Sequence, residues 1–162
     1  MMQQLIVMRH ATAEAKAANG RDRDRDLTAD GIEEADLMGI VLHRMLNDIP
    51  VIVSSEYVRA QRTAAAVSSA FAAVNVSVDN RLNADRTVAD MMEVIDEADA
   101  SSLILVAHMP VVAELVERYT GSPASSLMMA PATCIVLALE SKRRRFGILQ
   151  GMLSANLARR II

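Results

Sequence analysis

Short apolar blocks alternate along this chain with longer stretches in which apolar residues recur every three or four positions. Leu5-Ile6-Val7-Met8 is a continuous apolar run near the N-terminus, the signature of a strand buried on both faces. Val51-Ile52-Val53 and Leu103-Ile104-Leu105-Val106-Ala107 repeat the pattern, and Val74–Val78 reads as a further short strand. Between them, Ile32, Ala35, Met38, Leu42 and Met45 fall at helical spacing and predict a helix over 29–47. Thr28 is placed as its N-cap, and Asp30 stands in its first turn, where a carboxylate suits the helix dipole. Tyr57–Phe71 is rich in alanine, the best helix former, and Val88, Met91, Met92 and Ile95 mark another amphipathic helix. Pro110 opens a helix carrying Val111, Val112, Leu115 and Val116.

Residues 133–139 and 146–150 read as a closing hairpin connected through Glu140–Arg145, and the tail from Gly151 shows no clear period. Strands that alternate with helices imply a mostly parallel sheet covered on both faces, with the hairpin adding an antiparallel edge. The expectation is a single domain over 1–162, of class α/β, in three layers α/β/α.

Composition narrows this picture. A chain of 162 residues fits one core, and 52% apolar residues suffice to fill it. Only 2% are aromatic against 11 Met, so aliphatic side chains and methionine do the packing. No apolar run approaches the ~20 residues of a membrane-spanning helix. A net charge of −3 and four aromatic residues give no footprint for nucleic acid, so neither nucleic acid nor membrane is an expected partner. Cys134 lies in an apolar strand-like run and reads as a core residue rather than a nucleophile. With one cysteine and no basic, cleavable leader, the expected setting is a reducing, cytoplasmic one.

The candidate chemistry sits where three apolar runs end. The first ends in Arg9-His10, the second leads into Ser54-Ser55-Glu56-Tyr57-Val58-Arg59, and the third ends in His108. The carboxyl edge of such a sheet is where open α/β folds place their ligands. Two imidazoles and two guanidiniums gathered there suit phosphoryl chemistry. A neutral imidazole can attack phosphorus, and the planar fork of arginine holds the oxygens that carry charge. Three histidines with no His-Glu-x-x-His or cysteine cluster make a poor metal set, so neither metal nor cofactor is expected. His43 has no matching residues around it and reads as structural or surface. Lys142-Arg143-Arg144-Arg145 reads as a solvated hairpin connection that discourages edge pairing. The alternating charges of Gly20–Asp26 read as a solvated loop.

Four segments stand in order along the chain: Leu5–His10, Arg25-Asp26-Leu27-Thr28-Ala29-Asp30-Gly31, Ser54–Ala64, and Val106-Ala107-His108-Met109-Pro110. Together they resemble the histidine phosphatase superfamily of phosphoglycerate-mutase-like fold, and the short length resembles its SixA-type phosphohistidine phosphatases. The resemblance implies that His10 is the nucleophile, that Arg9, Arg59 and His108 bind the phosphoryl oxygens, and that Arg25 lines the substrate mouth. The implied substrate is a phosphohistidine-bearing protein or a small phosphorylated compound. Two alternatives stand beside it: a broad phosphomonoesterase or mutase of the same fold, and a phosphate-binding module that has lost turnover.

Two departures bear on these readings. Ala11 stands where the family has glycine, so its Cβ is expected to crowd the phosphate or resist a backbone angle that glycine tolerates, with modest retuning. No general acid is evident either, with Glu56, Asp85 and Asp26 as candidates. Imidazole leaves phosphorus more readily than an alkoxide does, so a phosphohistidine phosphatase needs little acid help.

Overall fold

The computed structural model describes residues 2–72, 74–140 and 146–162. Its centre is a mixed sheet built from β1 (Met2–Arg9), β2 (Val51–Ser54), β3 (Val76–Val78), β4 (Ser102–Ala107), β5 (Cys134–Glu140) and β6 (Gly147–Leu153). The strand order is β3-β2-β4-β1-β5-β6. The pairs β1–β4, β2–β4 and β2–β3 run parallel, while β5 lies antiparallel to β1 and β6 antiparallel to β5. This is the expected mostly parallel sheet with an antiparallel edge.

The continuous apolar runs are explained by burial on both faces. Along β1, Ile6 and Met8 pack into one core layer, while Leu5 and Val7 pack into the other. Along β4, Ile104 and Val106 face the first layer and Leu103 and Leu105 the second. Period-two alternation therefore feeds two cores at once. Each such side chain, removed wholly from water, contributes roughly 1.5–3 kcal/mol.

The first layer is closed by α1 (Ala29–Met45), α2 (Val58–Ser69) and α5 (Ala155–Ile161). Gly39 of α1 lies against the backbone of Val67, which lets α1 and α2 approach closely. The second layer is closed by α3 (Val88–Glu97) and α4 (Val111–Thr120). Caps set the helix starts. The Thr28 hydroxyl accepts from Gly31 N at 3.0 Å, and Thr87 with Asp90 forms a reciprocal capping box. Gly121, at φ 74, ends α4 in the left-handed region.

Some boundaries differ from the sequence reading. Helix α1 stops at Met45, not 47, α2 runs Val58–Ser69 within the expected 57–71, and β3 starts at Val76 rather than Val74. Pro110 is the N-cap residue of α4. The tail is ordered: Gly151–Leu153 complete β6, and α5 follows with Ala155 and Ala158 buried. The expected basic connection Lys142–Arg145 lies outside the described residues. No helix of the described residues is long and apolar enough to cross a membrane.

Candidate active site

Strand β1 delivers Arg9 at its last position and His10 immediately beyond it. The hand-over is fixed by backbone bonds: Arg9 N donates to Thr133 O at 3.0 Å, His10 N to Ala107 O at 3.0 Å, and Ala132 N to His10 O at 3.1 Å. Strand β2 ends one residue before Ser55, whose N donates to Val106 O at 3.0 Å. Strand β4 ends at Ala107 and hands over His108, whose carbonyl accepts from Val112 N in α4. Three neighbouring parallel strands thus place their C-terminal residues side by side.

Helix α2 supplies Arg59, which is 4% exposed. Thr63, one turn later, ties this helix to the end of β1. Its hydroxyl donates to Arg59 O at 2.7 Å and accepts from Ala11 N at 3.0 Å.

The His10 ring is held in one tautomer. Its Nδ1 lies 2.7 Å from Ala11 O, and a carbonyl can only accept, so Nδ1 carries the hydrogen. Nε2 is therefore a lone pair, and Arg59 Nε donates to it at 3.2 Å. Burial, partly offset by the bond to Ala11 O, and the charges of Arg59, Arg9 and Arg25 push the His10 pKa down to about 4. The ring is neutral at physiological pH.

His108 lies beside it, with ring centroids 5.2 Å apart. It is 3% exposed. Burial, His10 and Arg59 bring its pKa down to about 3. Tyr57 packs on it at 4.8 Å between ring centroids, and the Arg59 guanidinium carbon sits 4.9 Å from the centroid of the Tyr57 ring. Arg9 reaches sideways, with Nη1 donating to Met129 O at 2.7 Å, while its buried Nε has no hydrogen-bond partner among the described residues.

The charge run of residues 20–26 is not merely solvated. Asp22–Asp24 form a short 3₁₀ turn that folds over Arg59. Asp22 O accepts from Arg59 Nη1 at 2.7 Å, and its carboxylate accepts from Arg59 Nη2 at 3.1 Å and from Arg25 Nε at 2.8 Å. Burial raises the Asp22 pKa, but bonds and charge from Arg59 and Arg25 outweigh it and leave the carboxyl below its ordinary value. Arg25 also donates to Glu14 O at 2.9 Å. The structure thus brings together Arg9, His10, Arg59 and His108, and joins Arg25 to them through Asp22.

The acid candidates are arranged differently. Glu56 accepts from Asn83 Nδ2 at 2.8 Å and pairs with Arg23 at 3.7 Å. Asp26 accepts from Leu27 N and from Arg62 Nε. Asp85 is exposed.

At Ala11 one of the two expected difficulties, the backbone angle, is absent. Its backbone does not take a positive φ, and its side chain is fully buried in the first core layer. Cys134 is fully buried, and burial raises its thiol pKa to about 12, as a core residue requires. His43 is exposed and packs edge-on to Phe71.

Sequence reasoning passed over Asp22, Ser55, Tyr57 and Asn83. Asp22 stands three residues before Arg25, but the alternating charge around it read as solvated loop. Asn83 lies 28 residues from Ser55, to which it bonds, and no local pattern marks it.

The histidine phosphatase superfamily (branch 1) matches residues 5–84. A phosphohistidine phosphatase SixA homolog of Haemophilus influenzae is 29% identical over 153 residues, spanning 86% of this chain and 90% of the relative. The solved structure of the protein histidine phosphatase SixA complexed with tungstate matches with a TM-score of 0.83 at 23% identity, over 95% of this chain and 98% of that one. A protein assigned as the phosphohistidine phosphatase SixA of Nakamurella multipartitia matches with a TM-score of 0.78 at 26% identity, over 94% and 96%. Sequence motifs, sheet order and these similarities agree: residues 5–84 match the histidine phosphatase superfamily, and the whole chain is similar to its SixA-type members in sequence and in fold.

Proposed function

We propose that this protein is a phosphatase that removes phosphoryl groups from phosphohistidine in a protein through a covalent intermediate on His10, without a metal. The observation that carries this reading is the His10 tautomer. With Nδ1–H committed to Ala11 O, the Nε2 lone pair is free of a proton and faces Arg59. A depressed pKa keeps that lone pair available at neutral pH.

In the first step Nε2 attacks phosphorus and the phosphorus–nitrogen bond of the substrate breaks. The departing imidazole keeps the electron pair and takes a proton from water. Arg59 turns its Nε–H from the His10 ring to a phosphoryl oxygen as the new bond forms. Arg9 and His108 meet the other oxygens, and Arg25 sits at the mouth. Water then attacks phosphorus, the bond to Nε2 breaks, and inorganic phosphate leaves with His10 restored. Fixed cations that meet developing charge supply most of the acceleration in such a site.

The choice of a nitrogen leaving group rests on the carboxylates. Glu56 and Asp26 are engaged elsewhere, Asp22 is held below its ordinary pKa between two guanidiniums, and Asp85 is exposed, which supports a reaction that asks for no acid. A phosphoramidate needs no such acid.

The test is to incubate the protein with labelled phosphohistidine peptide and quench in alkali. An alkali-stable, acid-labile adduct on residue 10 is expected, absent from His10→Ala. Label retained in that variant would sink the assignment.

A further inference from the structure

Behind His108 lies a hydrogen-bond chain that the phosphoryl chemistry above does not use. Ser55 Oγ is 2.8 Å from His108 Nε2, and it donates to Asn83 Oδ1 at 2.9 Å. Ser55 is fully buried, His108 3% exposed and Asn83 9% exposed, so solvent does not compete.

The direction of every bond in this chain is determined. Glu56 orients the Asn83 amide from two sides: its backbone N–H donates to Oδ1 at 2.9 Å, and its carboxylate accepts from Nδ2 at 2.8 Å. A carboxylate accepts only and an amide N–H donates only, so Oδ1 must be the atom facing Ser55. Ser55 has a single hydroxyl proton, and it goes to Oδ1. Its oxygen is then an acceptor toward everything else, namely Tyr57 N–H at 3.2 Å and the His108 ring. The His108 nitrogen at that contact must carry the hydrogen. Neutral His108 is therefore the Nε2–H tautomer, and its Nδ1 is a bare lone pair. That Nδ1 is buried and has no hydrogen-bond partner among the described residues.

A bare lone pair cannot donate to a phosphoryl oxygen. We propose that Asn83, acting through Ser55, locks His108 in the Nε2–H tautomer, so that His108 engages a phosphoryl dianion only by taking up a proton at Nδ1. This rests on the reading that His108 meets a phosphoryl oxygen. Asn83 is then a positioning residue, and anion binding is coupled to proton uptake.

The surroundings of His108 fit such a coupling. Burial, then His10 from the end of β1 and Arg59 from α2, disfavour its protonation in the free protein; the Asp22 carboxylate favours it less strongly than either of those residues opposes it, and Arg25 from the loop before α1 opposes it least. Tyr57 packs on its face, and Glu56 acts only through Asn83. A dianion held by the guanidiniums reverses the sign of the local field, and the proton then becomes favourable.

The test uses tungstate, which stays a dianion through neutral and mildly alkaline pH and so brings no proton of its own. Calorimetry at pH 8 in buffers of different ionisation enthalpy counts protons taken up on binding. The wild type is expected to take up about one proton per tungstate. In Asn83→Ala the Ser55 hydroxyl is free to donate to His108 Nε2, neutral His108 can present Nδ1–H, and uptake falls by half or more. Ser55→Ala releases the tautomer by another route and serves if the first variant does not fold. A proton placed on His10 instead would leave uptake unchanged in both variants, which overturns the proposal. Imidazole ¹⁵N shifts of the free wild-type protein give an independent reading: a protonated Nε2 and bare Nδ1 on His108 are expected, and the reverse overturns the lock. Failure to bind tungstate at all would overturn the phosphoryl-site reading, while the ¹⁵N spectrum would still decide the tautomer.

Discussion

Asp22 grips Arg59 at two points, its backbone oxygen 2.7 Å from Nη1 and its carboxylate 3.1 Å from Nη2. The same carboxylate holds Arg25 at 2.8 Å. An internal anion thus occupies the guanidinium fork proposed to hold a phosphoryl group, and a substrate bound there would have to displace it. Asp22 is 64% exposed in its side chain, so solvent and salt weaken the pair, and its contribution is on the order of 0.5–1 kcal/mol. Asp22→Asn removes the charge but leaves the backbone contact. Inhibition by inorganic phosphate is expected to tighten about two- to fivefold at low salt, with the gain fading as salt rises. Weaker inhibition would show that the carboxylate helps the anion rather than competing with it.

Arg59 also touches His10, the proposed nucleophile, through Nε on Nε2 at 3.2 Å. Its role depends on a planar fork that addresses several acceptors from one buried position. Arg59→Lys keeps the charge and loses that geometry. Turnover is expected to drop about 10²–10³-fold in Arg59→Ala and to recover only slightly in Arg59→Lys. Single-turnover kinetics with a phosphohistidine peptide would read this, and a lysine variant near wild-type rate would contradict the fork.

Both site histidines are held neutral, His108 buried and His10 half-buried, with pKa values lowered from 6.5 to about 4 for His10 and about 3 for His108. Unfolding releases them to their ordinary value. Below pH 6.5 the unfolded chain therefore binds protons that the native state refuses, and stability falls as pH drops from 6.5 toward 4. Above 6.5 neither group contributes a slope. Melting temperature is expected to decline between pH 7 and pH 5, and His108→Gln should flatten that decline. Equal slopes in the two proteins would mean that His108 is not buried neutral.

What the sequence revealed about this site follows from where each contact's partners lie along the chain. Arg9-His10, Arg59 and His108 were legible because each follows an apolar run, and parallel strands end together at one edge. Arg25 and Thr28 were legible through the segment that opens α1. Asp22 and Asn83 were not, because their partners are distant in sequence: Asp22 bonds to Arg59 across 37 positions and Asn83 to Ser55 across 28. Helix α5 escaped for another reason. Its seven residues bury only Ala155 and Ala158, too little contrast to show a period.

Gly31, in the same segment as Arg25, has a packing reason to be small. A Cβ there would run into the carbonyl of Thr12, which accepts from Thr28 N at 3.0 Å. Thr12 is itself fixed by Glu34, through its N at 2.9 Å and its hydroxyl at 3.0 Å. The carbonyl can yield only by disturbing the loop that carries Asp22 and Arg25. Gly31→Ala is expected to destabilise the fold by about 1–3 kcal/mol despite the better helix propensity of alanine. Chemical denaturation would measure it, and a stabilised variant would show that the loop gives way freely.

Ala11 stands where the family has glycine, so restoring glycine looks at first like an improvement. The contacts argue otherwise. Its N donates to Thr63 Oγ1 at 3.0 Å and its O accepts from His10 Nδ1 at 2.7 Å, both at a φ open to any residue. The methyl group is fully buried in the first core layer. Ala11→Gly keeps both hydrogen bonds, loses that burial and gains backbone freedom in the unfolded chain. The expected result is a loss of about 1 kcal/mol of stability or somewhat more, with no rise in turnover. A looser residue 11 also loosens the carbonyl that sets the His10 tautomer. Any change in rate is therefore expected downward, as a lower kcat at unchanged KM for a phosphohistidine peptide. A faster Ala11→Gly enzyme would mean that the alanine methyl crowds the phosphoryl group.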